Sequence, residues 1–200
     1  MHTNKLLAHA LDSVIARSAI KLLGRKFPLP DEVSKAQALL DDAPRHVSPI
    51  EVAEYFESLT TTNADEDLFN REWPVRANPL IVAFFVQATD HESSEIDGDQ
   101  TPWCAAFVNW CLERAGYLGT RSWSSKSFRS VEYSAVPAYG DIAVFADVKD
   151  DRDGNTGHVG FWCEGRDREV IVLGGNQRQR VCRRKYATIE QSSRNDEMTR

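Results

Sequence analysis

Cys104 stands in Thr101-Pro102-Trp103-Cys104-Ala105-Ala106-Phe107-Val108-Asn109-Trp110-Cys111, a stretch that reads as the first turns of a buried helix. Thr101 is the expected cap, Pro102 has the fixed φ suited to a first helical residue, and Gly116 can close the far end. A helix start offers unpaired N–H groups and partial positive charge. Both favour thiolate over thiol, which makes Cys104 a candidate nucleophile. Such a nucleophile needs a base within hydrogen-bond reach. His158, in the strand-like run Gly157-His158-Val159-Gly160-Phe161-Trp162-Cys163, is the candidate. Strand alternation puts Gly160, Trp162 and Glu164 on its face and Val159, Phe161 and Cys163 on the other. The missing side chain at Gly160 is expected to admit the start of a packed helix. Asn176, in Leu173-Gly174-Gly175-Asn176-Gln177, is placed to orient the imidazole, the third role of a nucleophile–base–orienter set.

Plainer readings stand beside these. A cysteine on an apolar helix is usually core, and Cys111 reads that way. A lone histidine in a strand is often structural, and it is the company of Cys104 and Gly160 that favours catalysis for His158. Asparagine after two glycines is also ordinary turn chemistry. Trp103, Trp123 and Trp162 either line a substrate groove, with Gln177 near them, or belong to an aromatic core. Asp141 reads as a carboxylate anchoring a loop. His2, His9, His46 and His91 lack catalytic company.

The elements that must carry these residues follow from periodicity. Residues 4–23 repeat Leu7, Leu11, Val14, Ile15, Ala19, Leu22 and Leu23 at helical spacing, and a second short helix is expected over residues 31–40. Ser48-Pro49-Ile50-Glu51 is a capping box that opens a third. Asn78-Pro79 opens a fourth, apolar on most sides, over residues 80–89. After the cysteine helix the pattern changes to strands at residues 141–146, 158–164, 169–173 and 181–186, joined by short turns. Helices first and an antiparallel sheet afterwards make an α+β fold. The expected division is a helical N-terminal extension at residues 1–70, a catalytic domain at 71–190 and a polar tail at 191–200.

Bulk properties narrow the classes. The net charge of −6, from 24 basic and 30 acidic residues, argues against nucleic-acid and anionic-membrane partners, which select basic faces. The longest apolar run, residues 79–86, falls short of the ~18 residues of a membrane helix. His9, Asp12 and Arg17 interrupt the region where a signal peptide would be apolar, so the expectation is cytoplasmic synthesis and non-classical export. The four cysteines form no CxxC pair and read as free thiols. No cofactor is expected. The acidic runs at residues 90–99 and 147–155 raise calcium, but Lys149 breaks the ligand spacing of an EF-hand loop, and no metal ligands are assigned.

In order and spacing, the segments around Cys104, Arg121-Ser122-Trp123, Gly140-Asp141-Ile142-Ala143-Val144-Phe145, Gly157-His158-Val159-Gly160-Phe161 and Leu173-Gly174-Gly175-Asn176-Gln177 resemble the CHAP and NlpC-type cysteine hydrolases. The resemblance runs from about Asn78-Pro79 to Tyr186. It implies a papain-like fold and cleavage of amide bonds in peptidoglycan, either as an amidase or as a stem or cross-bridge endopeptidase. Cys104 would be the nucleophile, His158 the base and then acid, and Asn176 the orienter. The Cys104 backbone N–H, with Gln100 as candidate second donor, would form the oxyanion hole. Peptidoglycan lies outside the cytosol, so delivery by a phage lysis system or a contractile (type VI) secretion apparatus is expected, the latter with an immunity protein as partner. A toxin acting on a protein substrate and a non-catalytic wall-binding module are the alternatives.

Overall fold

The computed structural model describes residues 26–90, 98–130, 136–146 and 157–187. The helix expected over residues 4–23, the tail at 191–200, and most of both acidic runs lie outside the described residues, as do His2, His9 and His91.

Helix α1 (Pro30–Asp42) starts on a proline, and Glu32 turns back to accept the Leu29 N–H at 2.7 Å. The same carboxylate, fully buried, takes the Arg76 guanidinium at 2.7 Å, tying the helix to the segment before α3. Helix α2 (Pro49–Glu57) has its capping box as the sequence indicates, with the Ser48 N–H donating to Glu51 Oε2 at 2.8 Å. In α3 (Pro79–Ala88), Asn78 Oδ1 accepts from the Leu80 N–H, and Asn78 Nδ2 donates to the carbonyls of Phe69 and Arg71, each at 2.7 Å. One buried amide thus caps the helix and pins the chain leading to it.

Helix α4 (Cys104–Ala115) begins later than its sequence suggests. Trp103 occupies the cap position without a side-chain cap bond, and Thr101 and Pro102 lie ahead of the helix. Burial explains the change: the Trp103 indole is fully enclosed and its Nε1–H donates to Glu72 at 3.1 Å, so packing rather than capping preference sets the first turn. Gly116 ends the helix at φ 95°, a left-handed conformation that glycine adopts without steric cost. Asn109, fully buried in α4, accepts from the Thr120 and Arg121 N–H groups and donates to the Ser122 carbonyl, latching the following loop onto the helix.

Four strands, β1 (Ile142–Ala146), β2 (Gly157–Arg166), β3 (Glu169–Gly174) and β4 (Cys182–Ala187), pair antiparallel in sequence order. The architecture is therefore α+β, with helices preceding an antiparallel sheet. A bulge between Trp162 and Glu164 breaks the alternation expected along β2. The sheet is curled: Tyr186 of the last strand stacks on Phe145 of the first, with ring centroids 4.6 Å apart.

Helix α4 is central, packing on α2 and α3 on one side and on β2 and β3 on the other. One hydrophobic cluster runs from Ala36 and Phe56 through Phe84, Phe107 and Trp110 to Phe161, Leu173 and Val181. It crosses the boundary expected near residue 70, and no break in packing separates the described part of the N-terminal helices from the sheet. Arg183 of β4 reinforces that join through ion pairs with Glu54 and Glu57 of α2.

Candidate active site

Cys104 is the first residue of α4, and the thiol is buried against the N–H groups of Val159, Ala105 and Cys104 itself. Val159 follows His158 in β2, so the helix start and the strand start meet at this thiol. A helix start alone would make the thiol acidic, and burial reverses that here. Burial pushes the Cys104 thiol above its ordinary value, and the three N–H groups offset that only in part. Cys111, fully buried in the same helix, is pushed up further by burial alone.

His158 shows the complementary effect. Burial lowers its pKa from 6.5 to about 4, the Gln177 side chain partly restores it, and the Arg184 charge opposes protonation. At neutral pH both side chains are therefore uncharged, Cys104 as a thiol and His158 as neutral imidazole. A neutral imidazole is free to accept a proton.

The imidazole sits among aromatic rings. Tyr186 stacks on it at 5.5 Å between centroids and Phe145 lies at 6.3 Å. Arg184 covers the Tyr186 ring at 5.2 Å. Burial raises the Tyr186 phenol to about 12, and charge on Cys104 adds to this while Arg184 opposes it.

Gly160 does provide room, but not for the helix. A Cβ there would lie 2.5 Å from Val172 Cγ1 and 2.8 Å from the Leu173 carbonyl, so the space is taken by β3. Val159 and Phe161, on the alternate positions, are the β2 residues buried in the helix-bearing core.

Asn176, expected to orient the ring, is half-buried at φ 55° and forms a left-handed corner of the turn after β3. Its neighbour Gln177 is the residue brought to His158. Gln177 is fully buried, so it lines no substrate groove. Its Nε2 donates to the carbonyls of Val172 at 3.1 Å, Gly174 at 3.3 Å and Cys182, and its Oε1 accepts from the Tyr186 O–H at 2.7 Å. Three carbonyls around Nε2 fix which way the amide faces.

Of the three candidate groove tryptophans, Trp103 is wholly interior, stacked near Phe84 and edge-on to Phe107. Trp123 is half-buried against the core, just before the 3-10 turn Ser125–Ser130, which packs on β1 and β2. Trp162 is half-buried, its backbone bonded to Asp141 and Gly140 and its indole lying over Gly165. Gln100 ends the 3-10 turn Gly98–Gln100 and is exposed. Among the described residues no group of three or more His, Cys, Asp or Glu side chains could hold a metal. All four cysteines are free thiols.

Tyr186 and Phe145 gave no chemical signal in the sequence. Each is an aromatic in a short edge strand, and only the curl of the sheet brings them to one imidazole. Residues 96–176 match the CHAP domain family. No curated protein and no solved structure gives a match.

Proposed function

From the match of residues 96–176 to the CHAP domain family, we propose that this chain is a cysteine hydrolase that opens amide bonds of bacterial peptidoglycan through an acyl-enzyme on Cys104. The single observation that carries the reading is the meeting of the two elements at the thiol: Cys104 begins α4, and the N–H that follows His158 points at its sulfur. In the papain-like scheme, Cys104 Sγ attacks the amide carbonyl while imidazole takes the S–H proton. The resulting imidazolium then protonates the departing amine. Water attacks the thioester, gives its proton to imidazole, and releases the acid with Cys104 restored as a thiol. In this scheme the Cys104 N–H would be one oxyanion donor, and Gln100, exposed just ahead of the helix, is the proposed second.

The exposed parts of Trp123 and Trp162 are the aromatic surfaces that glycan or stem peptide would meet. Because the substrate lies beyond the cytoplasmic membrane, the chain must be delivered to the wall; a phage lysis system or a contractile secretion apparatus would do so, the second with an immunity protein. Among the described residues no helix is long and apolar enough to cross a membrane. The test is release of soluble fragments from purified sacculi. The wild-type protein should clear the suspension and Cys104→Ala should leave it turbid; clearing by the variant would sink the proposal.

A further inference from the structure

His158 carries a buried nitrogen, Nε2, that makes no hydrogen bond of ordinary geometry among the described residues. Leaving a ring nitrogen buried without a partner is costly, and such an atom in an otherwise satisfied interior calls for an explanation. The group beside it is Gln177: both His158 Nε2 and Gln177 Nε2 would lie 3.4 Å from a Cβ at Gly174. That amide cannot turn its nitrogen to the ring, because three carbonyls hold it. Its oxygen is fixed instead by the Tyr186 O–H at 2.7 Å, and the Tyr186 ring stacks on the imidazole. An amide oxygen has two lone pairs, so one remains after Tyr186 is served.

We propose that Gln177, held by Tyr186, is the positioning residue for His158: its Oε1 takes the Nε2–H of the imidazole and so fixes the tautomer that leaves Nδ1 bare as the base. The inference rests on the reading of His158 as the base for Cys104. It assigns the third role to Gln177 in place of Asn176 and adds Tyr186 behind it. The pair works as a relay of two donors into one oxygen, in which Tyr186 sets the amide and the amide sets the ring.

Nitrogen-15 NMR of histidine-labelled protein, combined with steady-state hydrolysis, tests this. In the wild type at neutral pH, His158 should show a protonated Nε2 and a bare Nδ1. Tyr186→Phe keeps the ring stack and deletes only the O–H, so it should fold, lower kcat by about tenfold with KM held, and mix the two tautomers. Asn176→Ala should leave the Nε2–H signal in place. A proton on Nδ1 in the wild type, or Tyr186→Phe with both kcat and tautomer unchanged, overturns the proposal. Failure of the wild type to hydrolyse sacculi, with Nε2–H intact, strikes the hydrolase reading instead.

Discussion

The thiol and imidazole show burial and local dipoles in competition, and burial prevails at both. Cys104 is pushed up despite three N–H groups, and His158 is pulled down to about 4 despite Gln177. If neutral imidazole is the base, kcat/KM should keep its acid limb near pH 4 rather than near the ordinary histidine value of ~6.5. Arg184 opposes the charged ring, so Arg184→Glu should move that limb to higher pH; an unmoved limb in a pH–rate profile would mean that another group sets it. The same shift enters stability. The folded pKa of His158 lies below the unfolded one, so the unfolded chain binds more protons as pH falls through the unfolded value of ~6.5. Stability from this residue is full above that pH and lost by about pH 4, roughly 3 kcal/mol in all. Urea titrations at several pH values should show the loss in the wild type and a flatter profile in His158→Gln. At this scale residue type and context single out Cys104 and His158 in the sequence, and the fold brings the N–H that follows His158 to the Cys104 thiol. The sequence does not separate Asn176 from Gln177, adjacent in Gly174-Gly175-Asn176-Gln177, because only the left-handed turn at Asn176 decides which amide lies beside the ring.

Among the elements, the helices written by proline and caps stand where the sequence puts them: Ser48 and Glu51 open α2, and Asn78 opens α3. The cysteine helix did not follow its local signals, because the buried Trp103–Glu72 contact outweighs the capping preference of Thr101. Strand alternation likewise placed Val159 and Phe161 together, while the identity of what fills the space at Gly160 depended on β3, a partner that periodicity cannot name. Asn109 holds the loop after α4 by three backbone bonds from a fully buried amide. Asn109→Ala should therefore cost about 2–3 kcal/mol, because several backbone groups lose their partner at once. Thermal melts should show this as a lowered midpoint, and a midpoint equal to the wild type would remove the latch from the account.

For the molecule as a whole, the consequence is that the helices outside the CHAP match share the core of the site. Phe56 of α2 meets Phe84 of α3 at 5.2 Å and Phe107 and Trp110 of α4 at 6.0 and 5.2 Å, all in T-shaped, edge-on contacts. Phe56→Ala should cost about 3–5 kcal/mol and lower helix and sheet signals in one transition. Two separable transitions would instead support an independent N-terminal unit. Residues 60–67, just ahead of the boundary expected near residue 70, are polar and form a turn in which Asn63 Oδ1 accepts from the Asp65 and Asp67 N–H groups, and such a stretch marks a surface turn as readily as a linker. The proposed reaction is cleavage of peptidoglycan amide bonds, and mass spectrometry of fragments released from purified sacculi reads the bond directly. The expected result is fragments with new amine and carboxylate ends from amide cleavage, absent with Cys104→Ala; fragments cut only at glycosidic bonds, or the same fragments from the variant, would contradict it.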